Sequence, residues 1–202
     1  MITLYWAPRT RAMQMLWPLE EVGQPYEVEH VDIRGGALPD AFREVSPLGK
    51  VPALRDGDAK VADSAAIMLY LADRYAAGRL APLPDDPARG EFLFWLFYGP
   101  SAIEPAMTEK FADLPPNPAA YPWGTFDRMT ETLDRRLEGR EWISWDRFTV
   151  ADIVSSGALN FLQAFKLHTL SPVMVEYRDR CMARPAAKAG YARDKEEAAK
   201  LD

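Results

Sequence analysis

At 202 residues the chain is long enough for two small domains, and with 48% hydrophobic and 27% charged residues it can bury a sizeable core without resembling a disordered segment. A net charge of −6 disfavours general nucleic-acid binding and docking on anionic membranes, both of which need basic surface. The single cysteine, Cys181, excludes an intramolecular disulfide, and His30 and His168 have no ligand spacing, so no metal is expected.

The start, Met1 to Tyr5, lacks the basic flank of a secretory signal, and Ile2–Tyr5 reads as a short strand. Ala7-Pro8-Arg9 is a turn, followed by a helix from about Thr10 to Val22 with Ala12, Met15, Leu16 and Leu19 on its apolar face. Pro18 is expected to kink that helix and Gly23 to end it. Tyr26 to Val31 alternates apolar and polar residues, a second strand, so the opening unit is βαβ with parallel strands. Gly35-Gly36 breaks the chain before a short helix from Pro39 to Val45. Val51–Leu54 and Lys60–Val61 flank the turn Asp56-Gly57-Asp58 as an antiparallel pair, and Ser64 to Ala77 is a helix closed by Gly78.

Leu80 to Pro87 is a proline-rich linker, beyond which helical spacing replaces strands. Helices are expected over Pro87–Phe111, Phe126–Leu137, Val150–Phe165, Pro172–Met182 and a charged stretch from about Ala186 to Lys200, with Pro100 and Pro105 disturbing the first. The longest apolar run, Phe92 to Tyr98, is far short of the ~20 residues a membrane span requires, so the expected location is cytoplasmic. The expected domains are therefore 1–78 (α/β, βαβ-ββα), a linker at 79–86, and an all-α bundle at 87–202.

The densest signature is Ser46-Pro47-Leu48-Gly49-Lys50-Val51-Pro52-Ala53-Leu54, with Asp63-Ser64 opening a helix shortly after. Proline cannot donate to a ladder, so Pro52 belongs at a strand entrance, where an X–Pro bond can be cis. That geometry turns the Val51 backbone toward an extended peptide, while Asp63, Ser64 and the helix amides face a carboxylate. Thr149-Val150-Ala151-Asp152 fits a capping box and is read as structural.

The order of elements, these three motifs and the ending Tyr177-x-x-Arg180-x-x-x-Arg184-Pro185-Ala186 together resemble the cytosolic glutathione transferases, over nearly the whole chain. The resemblance implies a thioredoxin-like first domain, a helical second domain and bound glutathione as cosubstrate. It implies that Val51, after which Pro52 stands as the family's cis-proline, pairs with the cysteinyl backbone of glutathione. Asp63 and Ser64 then hold its γ-glutamyl end, and Lys50 meets its glycyl carboxylate. It further implies a homodimer and a small hydrophobic electrophile as partners.

Bacterial-type members carry a serine or cysteine in the first loop to stabilise the thiolate. Here Thr10 stands at the most similar position, with Arg11 as a second candidate, while Tyr5 at the strand end reads as core or wall. In the aromatic run of 92–98, Tyr98 together with Ser101 is the expected electrophile wall, with Trp123 and Phe126 as weaker candidates. The expected function is conjugation of the glutathione thiolate to hydrophobic electrophiles. Alternatives are glutathione-dependent peroxide reduction, dehalogenation or isomerisation on the same site, or a glutathione-binding module without catalysis.

Overall fold

The computed structural model describes residues 1–35 and 37–201; Gly36, half of the Gly35-Gly36 break, lies outside the described residues. In chain order the elements are β1 (Ile2–Trp6), a 3-10 turn (Arg11–Met15), α1 (Leu16–Val22), β2 (Tyr26–His30), α2 (Asp40–Arg43), β3 (Ala53–Asp56), β4 (Ala59–Ala62) and α3 (Ser64–Tyr75). There follow α4 (Arg89–Tyr98), a π-helical turn (Gly99–Ile103), α5 (Glu104–Phe111), α6 (Phe126–Leu137), α7 (Val150–Ala164), α8 (Pro172–Met182) and α9 (Pro185–Ala199). The chain divides into two compact units, Met1–Ala77 together with the stretch from Arg184, and Gly78–Ala183. Among the described residues, no helix is long and apolar enough to cross a membrane.

The first unit is built on one sheet of order β2-β1-β3-β4. A helical crossover joins β1 to β2, so that pair is parallel, whereas the two-residue link Gly57-Asp58 makes β3 and β4 an antiparallel hairpin. β1 lies at the centre, and Ile2, Leu4, Tyr5 and Trp6 are all buried, which is why its sequence runs apolar rather than alternating. α3 packs through Ala65, Ile67, Met68, Leu71 and Ala72.

Three details differ from the sequence reading. The helix expected from Thr10 to Val22 is a 3-10 turn followed by α1, and Pro18 falls in the first turn of α1, where its missing N–H costs no intrahelical bond. β3 begins at Ala53 rather than Val51, because Pro52 cannot donate to the ladder. The last helix, grouped by the sequence with residues 87–202, packs in the first unit. Ala187 and Gly190 approach α1 so closely that a Cβ on Gly190 would stand 2.6 Å from the Trp17 backbone nitrogen, and of the charges of α9 Glu197 is buried and Asp194 bonds inward to Trp6. Arg184 seals this contact with two bonds to Glu21, at 2.7 and 2.9 Å.

The second unit is helical. Pro100 cannot supply the amide that would continue α4 regularly, and the helix widens, with the Glu104 N–H reaching back to the Gly99 carbonyl. Gly99 is required there, since a Cβ would fall 2.2 Å from Val154 Cγ1 of α7.

At the start of α7 the capping box is complete, and Asp152 is fully buried. Its carboxylate accepts from the Thr149 and Ile143 amides and from Tyr177 Oη, all at 2.8 Å, and from Thr149 Oγ1 at 3.0 Å. Burial pushes its pKa up against the pull of these donors. Asp152→Ala leaves several buried donors without an acceptor, each worth about 1–3 kcal/mol. We predict a loss of about 3 kcal/mol or more in the second unit, read as a lower denaturant midpoint, and a smaller loss for Asp152→Asn, which keeps one oxygen.

Candidate functional site

The strand register brings the sequence-predicted residues of the first unit to one edge of the sheet. Tyr5 pairs with Ala53, and Ala53 pairs with Ala62, so these three residues form a row across β1, β3 and β4. One step beyond that row stand Trp6 at the end of β1, Pro52 before β3 and Asp63 after β4. The loop carrying Thr10, the Val51-Pro52 entrance and the start of α3 therefore leave the sheet side by side.

The Val51–Pro52 bond is cis, as the sequence suggested. The Val51 side chain packs against the cluster of Tyr5, Val31, Phe42, Val45 and Ala53, which leaves its backbone at the sheet edge outside the ladder. The preceding segment is held by Ser46, a residue whose role the sequence reading missed. Buried Ser46 accepts from the Lys50 amide at 3.0 Å and donates to the Lys50 carbonyl at 2.7 Å. The Gly49 N–H closes the turn on the Ser46 carbonyl at 2.9 Å, with Gly49 at φ 63°. A serine five residues before the Val51-Pro52 pair was the available signal. Lys50 itself is exposed.

Asp63, not Ser64, is the N-cap of α3. Its Oδ1 accepts from the Ala65 amide at 2.9 Å and the Ala66 amide at 3.4 Å. Its backbone sits at φ 82°, ψ 137°, a region costly for any residue with a Cβ. Ser64 is the half-buried first residue of the helix, and its N–H belongs to the set that has no intrahelical partner. An anionic cap beside a free helix N-terminus offers a carboxylate to a cation and donors to an anion within one turn.

Thr10 caps the 3-10 turn, accepting from the Ala12 amide at 3.1 Å, and its hydroxyl donates to the Ala7 carbonyl at 2.7 Å. Arg11, half-buried, opens the turn. Tyr5 is buried with its ring 5.4 Å from Phe42, which makes it core, in line with its sequence reading.

In the second unit, Tyr98 donates to the Met129 carbonyl at 3.1 Å, and burial pushes its pKa up. Ser101 donates to the Phe97 carbonyl at 2.6 Å, Trp123 to Glu109 at 2.6 Å, and Phe126 is buried. The rings open to solvent are Phe94 and Phe97 of the same run as Tyr98 and, elsewhere, Phe111 and Phe165. Phe111 and Phe165 are 57% and 54% exposed and meet edge to face at 5.3 Å, with Phe161 stacked on Phe165 at 6.1 Å. The i, i+4 spacing of Phe161 and Phe165 was the sequence signal for this cluster. Cys181 is buried with its thiol pKa pushed far up by desolvation, so it is no nucleophile.

A thioredoxin-like sheet with its helices, followed by a helical unit, defines the class. The sequence profile of the glutathione S-transferase N-terminal domain matches residues 4–79, and that of the C-terminal domain matches residues 124–185. The chain is 32% identical over 172 residues to glutathione S-transferase 3 of Schizosaccharomyces pombe, covering 75% of this chain and 70% of that one. It is 27% identical over 201 residues to the disulfide-bond oxidoreductase YfcG of Escherichia coli, covering 92% of both. A solved glutathione transferase family member from Pseudomonas fluorescens, with two glutathione bound, superposes with a TM-score of 0.75 at 29% identity, covering 94% of this chain and 92% of that one. The chain belongs to the cytosolic glutathione transferase family.

The φ of Asp63 separates its capping role from its backbone cost. Asp63→Ala is expected to lower stability by about 1 kcal/mol, because the cap is lost and the Cβ stays. Asp63→Gly loses the same cap but relieves the backbone, and its melting temperature is expected to stay near the parent's.

Proposed function

We propose that the chain conjugates the glutathione thiolate to small hydrophobic electrophiles. The observation that carries this reading is the shared sheet edge, where an unpaired strand entrance, a helix N-terminus with an acidic cap and a hydroxyl stand together. The Val51 backbone pairs with the cysteinyl residue of glutathione in antiparallel fashion, behind the turn that Ser46 fixes. Ser64 takes the γ-glutamyl carboxylate through its hydroxyl and amide, and the Asp63 carboxylate takes the neighbouring ammonium. Lys50 meets the glycyl carboxylate from solvent.

A thiol of pKa about 8.5 is mostly protonated at neutral pH, and its thiolate is the nucleophile. Thr10 supplies the donor by swinging its proton from the Ala7 carbonyl to sulfur while the Ala12 amide still polarises its oxygen. Arg11 adds positive charge at the same turn. The wall for the electrophile is Tyr98 with Ser101 in the helical unit, both hydroxyls engaged by backbone carbonyls of that unit. The family's two-fold dimer is the expected assembly.

A second reading, glutathione-dependent disulfide reduction, draws on the YfcG relative and on the position of the only cysteine, buried Cys181. With no accessible protein thiol, two glutathione molecules would supply both electrons, leaving as oxidised glutathione while the substrate disulfide becomes two thiols.

Initial rates with glutathione and an aromatic halide, beside rates with a small disulfide, test the two. Conjugation above the uncatalysed rate is expected. Disulfide reduction without conjugation would overturn the first reading in favour of the second. Ser64→Ala is expected to raise the glutathione Kd about tenfold by calorimetry. Thr10→Ala is expected to lower kcat ten- to a hundredfold with Kd nearly unchanged, and Thr10→Ser to retain most activity.

A further inference from the structure

The proposed reaction uses residues that follow β1, precede β3 and open α3 but none of α9, yet α9 reaches the base of the Thr10 loop. Trp6, the last residue of β1, is 1% exposed, and its indole N–H donates to Asp194 Oδ1 at 2.9 Å. Trp6 is also fixed by the Val31 amide, which donates to its carbonyl at 2.8 Å, and by His30, whose ring lies 6.3 Å away. The next residue, Ala7, is buried, and its carbonyl is the acceptor of the Thr10 hydroxyl. A short relay thus runs from Asp194 through the Trp6 ring and the Ala7 carbonyl to Thr10 Oγ1.

The depth of Asp194 is set one helical turn earlier. Gly190 and Asp194 are four residues apart and share a face of α9. At Gly190 the added Cβ would meet the Trp17 nitrogen at 2.6 Å and the Trp17 Cα at 2.8 Å, so only glycine lets α9 settle to backbone contact with α1. Tyr191, on the same side, brings its ring 6.5 Å from Trp17. Arg184 and Glu21 then fix the helix at its other end.

We infer that Asp194 is a positioning residue for the thiol-activating loop, holding Trp6 so that Ala7 and Thr10 present one defined hydroxyl geometry. Its role is to keep Thr10 at the sulfur, not to bind glutathione. Loss of the bond lets the end of β1 and the loop after it shift, while the Ser46-held entrance and α3, anchored through the hairpin, stay in place. This inference rests on the proposed use of Thr10 as thiolate donor.

The test compares Asp194→Ala with Asp194→Asn, which keeps an oxygen acceptor for the indole, in the full chain. Hydrogen exchange over residues 7–13 is expected to quicken about tenfold in Asp194→Ala, with 46–66 unchanged, and to stay within twofold in Asp194→Asn. With glutathione and an aromatic halide, kcat is expected to fall about tenfold in Asp194→Ala with the glutathione KM within twofold, and Asp194→Asn restores it. Trp6→Phe, which removes the donor instead, is expected to match Asp194→Ala. Parent-like exchange over 7–13 in Asp194→Ala overturns the inference. So does faster exchange through both segments with kcat and KM failing together, since that marks a residue needed only for folding. If the parent neither binds nor turns over glutathione, the proposed reaction falls, and the exchange data alone still decide whether Asp194 holds the loop.

Discussion

The pairing of β1 with β3 is the constraint on which the candidate site depends. Tyr5 stands opposite Ala53, and Ala53 opposite Ala62, so three chain segments far apart in sequence must exit together. A slip of one residue would exchange the residues of the two buried faces of β1 and take Tyr5 away from the cluster around Phe42. Nothing in the loops has to find its partners independently. Once the hydrophobic pattern of β1 is satisfied, the Val51 backbone, the Asp63 cap and the Thr10 loop are already adjacent.

Buried and half-buried polar groups supply the specificity that apolar packing alone lacks. In the first unit, Glu21 and Asp194 tie residues from opposite ends of the chain, Glu21 to Arg184 and Asp194 to Trp6. In the second, Asp152 collects donors from the segment before α7, from its own cap and from α8. Such groups add modest net stability when satisfied and cost far more when a partner is removed. They therefore penalise every packing in which α8 or α9 lies elsewhere, which matters for α9 because its apolar surface is small.

Much of this was legible in the sequence because it follows from local rules. The sheet follows from short apolar strands, one of them alternating, around a helical crossover and a glycine turn, and the boundaries of α6 and α8 match their apolar spacing and caps. The cis bond before Pro52 and the capping box of Thr149 and Asp152 are likewise local. What escaped was set by three-dimensional neighbours. α9 reads only as a charged helix, since the residues it buries are Ala187, Gly190 and Glu197, which carry little hydropathy to detect. Asp63 and Ser64 are both good caps, and only the backbone angle shows which one turns outside the helix. Ser46 looked like part of a turn, and its double bond to Lys50 depends on that turn being closed. The hydroxyls of Tyr98 and Ser101, the expected electrophile wall, bond to carbonyls of their own unit, partners that spacing alone does not reveal.

The engagement of the Thr10 hydroxyl with Ala7 bears directly on whether a threonine can serve where relatives use serine or cysteine. The hydroxyl has one proton, and the Ala7 carbonyl holds it at 2.7 Å. A neutral thiol is a weak acceptor and does not displace a carbonyl. A thiolate does, because a charge-assisted bond contributes about 1.5–3 kcal/mol against about 0.5–1.5 for the neutral one. On the proposed reading the exchange therefore favours the ionised sulfur by about 1–2 kcal/mol, which lowers its pKa by about one unit. The competition is useful: it withholds the bond from the ground-state thiol and grants it to the reactive form, which is the differential binding that catalysis requires. It also makes the outcome sensitive to where the Ala7 carbonyl sits. A donor balanced between two acceptors needs its backbone held still, and Trp6, one residue before Ala7 and bonded to Asp194, is placed to hold it.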